Sequence, residues 1–234
     1  KTSSGLVMSE GAVLLCLTTY RKAKEHGMKI YGEIPGFAFR SFPIENMIAP
    51  TEAGFLRTFS DLYSSLPVTP SQVRYVDGFA SSNKVVDKWE LTALNGAICP
   101  DTVLGNAKPE LGYYRAANPA VVIARLALMA RNRTIPRLHS YSSESSMLDG
   151  KGHIIAAKEE IAVDRNGQLV MAADFSGLGG IHGHAVVRTL PLWLEKSASG
   201  TVSSSAAVPV TVAKQTSSAP AAASGVKVCA LLSG

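Results

Sequence analysis

The chain has 234 residues, of which 46% are hydrophobic and 18% are charged, and this balance favours a packed domain over disorder. Its formal net charge of +5 comes from dispersed lysines and arginines, so we do not expect it to bind nucleic acid. The apolar stretches are all too short to span a membrane. The three cysteines are scattered without a CxxC pair, which argues against a metal site and suits a reducing compartment such as the cytoplasm.

Strands alternate with helices along the first part of the chain. Apolar runs predict strands at residues 11–17, 29–36, 73–76 and 102–104. Capping residues and apolar positions at helical spacing predict helices at residues 22–26, 51–66, 86–94 and 118–130. Thr51 and Asn118 are the predicted N-caps of the second and fourth of these helices.

A hairpin signal follows in the later part of the chain. The Asn166-Gly167 pair lies between apolar runs at residues 161–163 and 169–173, and this dipeptide favours a tight turn between two paired strands. A last strand is predicted at residues 185–190. Helices that alternate with buried strands and end in a hairpin indicate an α/β layered domain.

A change of composition marks the end of this domain. From residue 195 to about residue 225 the chain is rich in Ser, Ala, Val and Thr, which predicts a flexible linker. Residues 226–234 (VKVCALLSG) have the pattern of a buried strand, and we expect a following domain to begin there. Because the chain does not begin with Met, we also expect it to be a piece of a longer polypeptide.

Four stretches of the chain carry a resemblance to a known family. Residues 5–12 (GLVMSEGA) are similar to Gly-Phe-Val-x-Gly-Glu-Gly-Ala, and residues 75–90 (YVDGFASSNKVVDKWE) to Tyr-Val-x-Ala-His-Gly-Thr-Gly-Thr-x-x-Gly-Asp-x-x-Glu. Residues 105–118 (GNAKPELGYYRAAN) resemble Lys-Ser-x-x-Gly-His-x-x-Gly-Ala-Ala-Gly, and residues 175–184 (FSGLGGIHGH) resemble Ser-Phe-Gly-Phe-Gly-Gly-Thr-Asn-Ala-His. In this order and at these spacings, the four stretches resemble the β-ketoacyl synthases of the thiolase superfamily.

The resemblance covers residues 5 to about 192 and implies a thiolase-like layered αβαβα fold. It assigns residues 1–194 to a ketosynthase-like domain that holds the C-terminal half of the fold and the end of its N-terminal half. The nucleophilic cysteine of the family then lies upstream of Lys1. Residues 228–234 look like the opening strand of a malonyl-type acyltransferase, which makes an acyltransferase the expected following domain.

Two positions at which the family has catalytic histidines are occupied here by Phe79 and Tyr113. In the family, the imidazole N–H groups stabilise the enolate that forms when a malonyl unit loses carbon dioxide, and such placed donors stabilise developing charge. Phe79 offers no donor, and the Tyr113 hydroxyl extends further than an imidazole. We therefore predict that this domain has no catalytic residues for condensation and that the two rings fill the abandoned pocket.

Several other family positions keep their residue types. Asp87, Glu90 and Lys108 stand at the family's spacings from the two lost histidines, and the resemblance implies a buried ion pair between Lys108 and Glu90. The turn at residues 177–180 also keeps Gly177, Gly179 and Gly180, as expected for a tight strand connection with positive φ. Retention of these residues without the histidines suggests a fold maintained without its chemistry.

The remaining candidates have simpler structural explanations. His182 and His184 lie two apart, on one face of a strand, which could form half of a metal site. No carboxylate or thiol is near them in sequence, so we expect them to be structural. Cys16 lies in a predicted apolar strand and is expected to fill the core, and Cys99 is expected on a loop.

Three functions remain open at this stage. The preferred one is a non-catalytic ketosynthase-like domain, either a chain-length factor or a scaffold, in a multidomain polyketide or polyunsaturated fatty acid synthase. The second is an altered acyl-transferring enzyme that uses the upstream nucleophile, and the third is a module that docks an acyl carrier protein. The expected partners are an acyl carrier protein, which would bear phosphopantetheine, a ketosynthase in a homo- or heterodimer, and the adjacent acyltransferase. We expect no cofactor or metal on this chain and place the protein in the cytoplasm.

Overall fold

The structure is a computed structural model that describes residues 5–43, 50–98, 102–137, 155–156, 161–162, 167–177, 179–190 and 231–233. Cys99, Cys229 and the predicted linker at residues 195–225 lie outside the described residues. None of the helices in the described part of the chain is long and apolar enough to cross a membrane.

The helices begin close to where the sequence predicts them. Those in the described residues are α1 (Tyr20–Glu25), α2 (Glu52–Tyr63), α3 (Lys84–Ala97), α4 (Lys108–Leu111) and α5 (Asn118–Asn132). Thr51 is the N-cap residue of α2, as predicted. At the other predicted cap, Ala117 takes the N-cap position of α5, and Asn118 is buried in its first turn. A backbone already helical at Ala117 starts α5 one residue earlier than expected.

The strands of the described residues form one large mixed sheet and one small sheet. They are β1 (Leu17–Thr18), β2 (Gly32–Ser41), β3 (Val73–Asp77), β4 (Val103–Gly105), β5 (Thr134–Ile135), β6 (Ile155–Ala156), β7 (Ile161–Ala162), β8 (Val170–Gly177), β9 (Ile181–Arg188) and β10 (Leu231–Ser233). The large sheet has the order β1-β10-β2-β9-β8-β3-β4-β6. Its centre is the antiparallel hairpin of β8 and β9, with β2 antiparallel to β9 and β3 parallel to β8.

Helices cover both faces of the central sheet. On one face, α5 packs on β8 and β9 in an apolar cluster that includes Leu126, Leu169 and Met171, all fully buried. On the other face, α2 and α3 pack together over the same strands, with Phe55 and Leu94 fully buried. Because both faces are covered, β8 is buried along nearly its whole length. The result is the layered α/β fold that the sequence predicts.

The structure corrects two local predictions. The expected pairing of the two runs beside Asn166-Gly167 is wrong for the residues that the structure describes, because Ile161–Ala162 pairs with Thr134–Ile135 while β8 pairs with β3 and β9. Partners distant in sequence thus outweigh the local turn signal. The buried strand expected at residues 11–17 is also wrong, because only Leu17–Thr18 is a strand and the Leu14 side chain is 87% exposed. Cys16 is likewise exposed and does not fill the core.

Candidate functional site

The Phe79 and Tyr113 rings lie together at one end of the central sheet. Phe79 follows β3 by two residues and is 2% exposed, whereas Tyr113 follows α4 and is partly buried. Their ring centroids are 6.2 Å apart in an edge-to-face arrangement, which is a favourable geometry for two aromatic rings. The two positions at which the resemblance puts catalytic histidines are therefore neighbours in space, although they lie 34 residues apart in the chain.

Residues near the start of the chain hold Tyr113 in place. The Tyr113 N–H donates to the Val7 carbonyl at 2.8 Å, and the Ser9 N–H donates to the Tyr113 carbonyl at 3.0 Å. Gly112 has a φ of 79°, and a Cβ there would lie 2.6 Å from the Ser9 Cβ. The first stretch of the resemblance, residues 5–12, is thus hydrogen-bonded to the third, residues 105–118. Glycine at residue 112 permits this close approach.

Glu90 and Lys108 hold the backbone that carries Phe79. The Glu90 Oε1 and Oε2 atoms accept from the N–H groups of Phe79 at 2.6 Å and Ala80 at 2.8 Å. The Lys108 ammonium donates to the carbonyl oxygens of Phe79 and of Gly78, the latter at 3.3 Å. The two side chains therefore bind the same stretch of backbone, one as acceptor and one as donor.

This arrangement corrects the expected ion pair between Lys108 and Glu90. Both residues belong to the described part of the chain, and no oxygen of Glu90 lies within ion-pair distance of the Lys108 ammonium. The two charges still interact through space. The physical reason is local: two backbone N–H groups and two carbonyls around Phe79 take the places that a direct pair would use.

The Lys108 ammonium also faces the two aromatic rings. Its Nζ atom lies 5.2 Å from the centroid of the Phe79 ring and 5.9 Å from that of the Tyr113 ring. Both distances allow cation–π attraction, which favours the charged form of Lys108. The aromatic pair thus packs against a cation supplied by the protein itself, at the place where the resemblance puts imidazole donors.

Burial shifts the pKa values of both charged groups in this cluster. Removal from water and the nearby Asp174 charge raise the pKa of Glu90 to about 8, against its backbone hydrogen bonds and Lys108. Burial lowers the pKa of Lys108, although the carboxylates of Asp77 and Glu90 oppose this shift. Burial also raises the pKa of Tyr113, so the phenol keeps its proton at neutral pH.

The residues between Phe79 and α3 keep a glycine-like backbone without glycine. Ala80 and Ser82 have φ angles of 39° and 60°, in the left-handed region that disfavours side chains. The Ser81 hydroxyl donates to Asp87 Oδ1 at 2.8 Å, and the Asn83 side chain caps α3 by accepting from the N–H of Val85 at 3.0 Å. The changed motif residues therefore support the loop and the start of the helix.

Asp174 joins His182 and His184 in a buried network that sequence reasoning missed. Its Oδ1 atom lies 2.6 Å from His184 Nδ1 and 3.3 Å from His182 Nε2, and His184 Nε2 lies 3.0 Å from the Tyr63 hydroxyl. Burial disfavours the Asp174 charge, but the interactions with His184 and His182 outweigh it and lower its pKa to about 2. The contact could be found only from the register of β8 against β9, which puts Asp174 directly opposite His184.

His182 and His184 are both fully buried in the core. No cluster of three or more His, Cys, Asp or Glu within the described ranges is arranged to hold a metal ion. Phe55 and Phe59 pack on the His182 ring, with centroids 4.4 Å and 5.6 Å away. Both imidazoles contact the Oδ1 atom of the buried Asp174 carboxylate, whereas Asp174 Oδ2 and His182 Nδ1 have no hydrogen-bond partner among the described residues.

A second buried charge pair lies beneath α5. The Arg125 guanidinium donates to Asp77 Oδ2 and to the Tyr75 hydroxyl, and that hydroxyl donates to Asp77 Oδ2 at 3.0 Å. Asp77 is fully buried and Arg125 is partly buried. The pair ties α5 to the end of β3, two residues before Phe79, and fixes the strand from which the site is built.

A cavity of about 570 Å³ opens beside the two aromatic rings. Phe79 and Tyr113 form part of its wall, and Gly177 contributes from the turn between β8 and β9. Gly179 and Gly180 in that turn have φ angles of 91° and 78°, as the sequence predicts. The structure therefore brings the second, third and fourth stretches of the resemblance to one cavity, which the aromatic rings do not fill completely.

Comparison with known proteins finds ketosynthases among the proteins that this chain is similar to. Residues 31–142 match the family described as beta-ketoacyl synthase, C-terminal domain. The polyketide synthase GfsA of Streptomyces halstedii is 28% identical over 201 residues, covering 81% of this chain and 3% of that protein. One polypeptide of a polyunsaturated fatty acid synthase from a Thraustochytrium species is 24% identical over 157 residues, covering 63% of this chain and 6% of that protein.

Solved structures agree with this match. The ketosynthase from module 1 of the bacillaene synthase of Bacillus amyloliquefaciens superposes with a TM-score of 0.64 at 22% identity, over 71% of this chain and 31% of that one. The module 6 ketosynthase of Bacillus subtilis gives 0.65 at 18% identity, over 73% and 34%. The chain thus spans about a third of these structures and a few per cent of the synthases named above.

The chain shares the fold of solved ketosynthases, and residues 31–142 match the family model of the β-ketoacyl synthase C-terminal domain. It is also similar in sequence to polyketide and polyunsaturated fatty acid synthases.

Proposed function

We propose that this domain does not catalyse condensation and serves as a chain-length factor or scaffold within a polyketide or polyunsaturated fatty acid synthase. The observation that carries the proposal is the aromatic pair. Phe79 and Tyr113 stand in contact where the resemblance puts two imidazole donors, and Phe79 has no hydrogen to donate. Removing one placed donor of this kind costs on the order of a hundredfold in rate, and here both imidazoles are replaced.

The surroundings of the rings support the proposal. Glu90 and Lys108 bind the backbone at Phe79, and the charged end of Lys108 lies behind the rings. Ala80 and Ser82 retain a left-handed backbone that glycine would adopt without strain. The loop after β3 thus keeps a left-handed backbone at two positions where glycine has been replaced. This retention suggests that the fold still requires that backbone conformation.

The partners and context follow from the same proposal. The domain would work beside an acyl carrier protein that bears phosphopantetheine, pair with a ketosynthase and precede an acyltransferase, with residues 195–225 as the linker. It would need no cofactor of its own and would act in the cytoplasm. The relatives named above are synthases far longer than this chain, which suits this arrangement.

A condensation assay tests the proposal. The domain would be produced together with the segment upstream of Lys1 that holds the family's nucleophile position, and mixed with malonyl-loaded carrier protein and an acyl donor. The β-ketoacyl product would be followed by mass spectrometry beside an active ketosynthase. We expect the active enzyme to form product and this domain to form none. Product formed by this domain at a rate within tenfold of the active enzyme would overturn the proposal.

A further inference from the structure

A cluster of buried rings joins the β8–β9 hairpin to α2. His182 and His184 alternate along β9, so their side chains lie on the same face of the sheet, towards α2. Phe55 and Phe59 of α2 pack on the His182 ring, and Tyr63 of α2 packs on the His184 ring. The contact between hairpin and helix therefore depends on two buried imidazoles.

The hydrogen bonds assign the ring proton of His184. Burial raises the pKa of Tyr63, so its hydroxyl keeps the proton and donates it to His184 Nε2 at 3.0 Å. His184 Nδ1 then carries the ring proton and donates to Asp174 Oδ1 at 2.6 Å. His184 is therefore a neutral imidazole whose two nitrogen atoms are both hydrogen-bonded.

His182 has a less complete set of partners. Its Nε2 atom lies 3.3 Å from Asp174 Oδ1, which already accepts from His184. Its Nδ1 atom is buried and has no hydrogen-bond partner in the part of the chain that the structure describes. A second ring proton would therefore be a buried N–H without an acceptor, which is costly. Burial accordingly lowers the pKa of His182, although the Asp174 carboxylate opposes that shift.

This imidazole stands where the family pattern has a side chain that does not titrate. The pattern ends in Gly-Gly-Thr-Asn-Ala-His, and residues 179–184 (GGIHGH) put His182 at the position of the asparagine. Histidine is the side chain that ordinarily changes charge between about pH 5 and 8, whereas the asparagine amide stays neutral. His182 thus adds a titratable group to the core of this chain.

The other ionisable groups around His182 keep their charge at mildly acidic pH. Among the described residues they are Tyr63 of α2, Glu90 of α3, Lys108 of α4, Asp174 of β8 and His184 of β9. Asp174 stays ionised because its pKa is lowered to about 2, and Glu90 stays protonated because its pKa is raised to about 8. Tyr63 keeps its proton, Lys108 stays a cation, and two hydrogen bonds hold His184 neutral. The change of charge therefore falls on His182.

We propose that His182 is an acid-sensitive switch, whose protonation releases the turn end of the β8–β9 hairpin from α2. A released His182 binds a proton with the ordinary pKa of 6.5, and the packed His182 binds it with a lower one. The packed state is therefore fully stable above pH 6.5 and loses stability as the pH falls below that value. Gly177 and Ile181, at the two ends of the turn, line the cavity beside the aromatic pair, so the release changes the wall of that cavity.

Amide hydrogen exchange of the full chain between pH 7.5 and pH 5, followed by mass spectrometry, tests the proposal. At each pH, the exchange of residues 175–181 is divided by that of residues 121–130 in α5, which pack on the opposite face of the same strands. The ratio cancels the effect of pH on the chemical step. We expect it to rise about tenfold or more on going to pH 5, because one bound proton shifts an equilibrium by up to about tenfold per pH unit.

Two variants assign the effect to His182. His182→Asn supplies the residue of the family pattern and removes the titrating group, so its ratio should stay constant within about twofold over the same pH range. His26→Asn is the matched control, because His26 is exposed at the end of α1 and does not contact the hairpin. This control should keep the pH dependence of the parent.

Two outcomes would overturn the proposal: a ratio that does not change with pH in the parent, or an equal rise in the parent and in His182→Asn. The first is measured on the parent alone, so it remains decisive if His182→Asn does not fold. Neither outcome involves condensation. A failure here therefore leaves the result of the condensation assay unaffected, and the reverse also holds.

Discussion

At the scale of single residues, the loop after β3 shows how a site loses its chemistry and keeps its shape. Ala80 and Ser82 occupy the left-handed region at positions where the family pattern has glycine. A residue with a Cβ pays roughly 1–2 kcal/mol for that conformation. The hydrogen bonds from the Phe79 and Ala80 N–H groups to Glu90 hold the strained backbone in place.

Replacing Ala80 by glycine should therefore stabilise the protein. Relief of the strained φ outweighs the entropy that glycine adds to the unfolded chain, which is about 0.4–1 kcal/mol, so we expect a net gain of about 0.5–1 kcal/mol. Urea unfolding followed by circular dichroism measures the change. Ala53→Gly at an exposed position of α2 is the control and should lose about 0.5–1 kcal/mol. A loss of stability in Ala80→Gly would show that its backbone is not strained.

The sequence identified some site residues and missed others for a clear reason. Phe79 and Tyr113 could be paired because each follows a motif with fixed spacing. Asp174 could not be paired with His184, because their contact depends on the register between β8 and β9. The direct contact expected between Lys108 and Glu90 failed for a similar reason, since the backbone groups around Phe79 occupy both side chains.

At the scale of elements, Glu90 connects α3 to the loop after β3, and this connection depends on pH. Its pKa is raised from the ordinary 4.5 to about 8 in the folded protein. A carboxyl whose pKa is higher when folded binds more protons in the folded state, so its contribution is complete below about pH 4.5 and is lost as the pH rises through 8. The contribution of Asp174 to stability has the opposite pH dependence, because its pKa is lowered to about 2 in the folded protein. It is complete above about pH 4 and is lost as the pH falls towards 2.

The Glu90→Gln variant should reveal this dependence. The amide accepts only one of the two backbone N–H bonds, so the variant should be less stable than the parent by about 1–3 kcal/mol near pH 5. That difference should shrink as the pH rises from 5 to about 8 and stay constant above it, because only the parent loses the contribution of Glu90 over that range. Chemical unfolding at intervals between pH 5 and pH 9 measures it, with exposed Glu10→Gln as the control. A difference that grows with pH would contradict the assigned shift.

The elements also show where local sequence patterns decide the structure. Helices α2, α3 and α5 form close to their predicted positions because apolar spacing and capping act within each segment. Strand pairing is less predictable, since β7 pairs with β5 and not across the Asn-Gly turn to β8. The choice of partner depends on which strands the layered core brings together, and a local turn signal does not contain that information.

At the scale of the whole molecule, the described residues leave large apolar groups uncovered. Leu14, Phe37 and Val7 are 87%, 64% and 73% exposed, although each belongs to a segment that the sequence marks as strand-like or as part of the family resemblance. Large apolar side chains that are exposed in a domain can be covered by another part of the same protein or by a partner. It suits a domain that works within a larger synthase, as proposed above.

The overall architecture was predictable because the four resembling stretches fix the order of strands and helices. The match over residues 31–142 and the superposition on ketosynthases agree with that prediction. The sequence could not reveal the cavity, because its wall combines residues from near Leu6 to Ile181 that meet only in the folded chain. The same holds for Arg115, which also lines the cavity.

Release of carbon dioxide from malonyl-loaded carrier protein measures whether Phe79 and Tyr113 can replace the two imidazole donors of the family. This half-reaction needs donors for the enolate but no acyl group on the nucleophile, so it reports on the positions of Phe79 and Tyr113. We expect the chain to release carbon dioxide no faster than buffer does. Release at ten times the buffer rate or more, lost again on denaturing the protein, would contradict it.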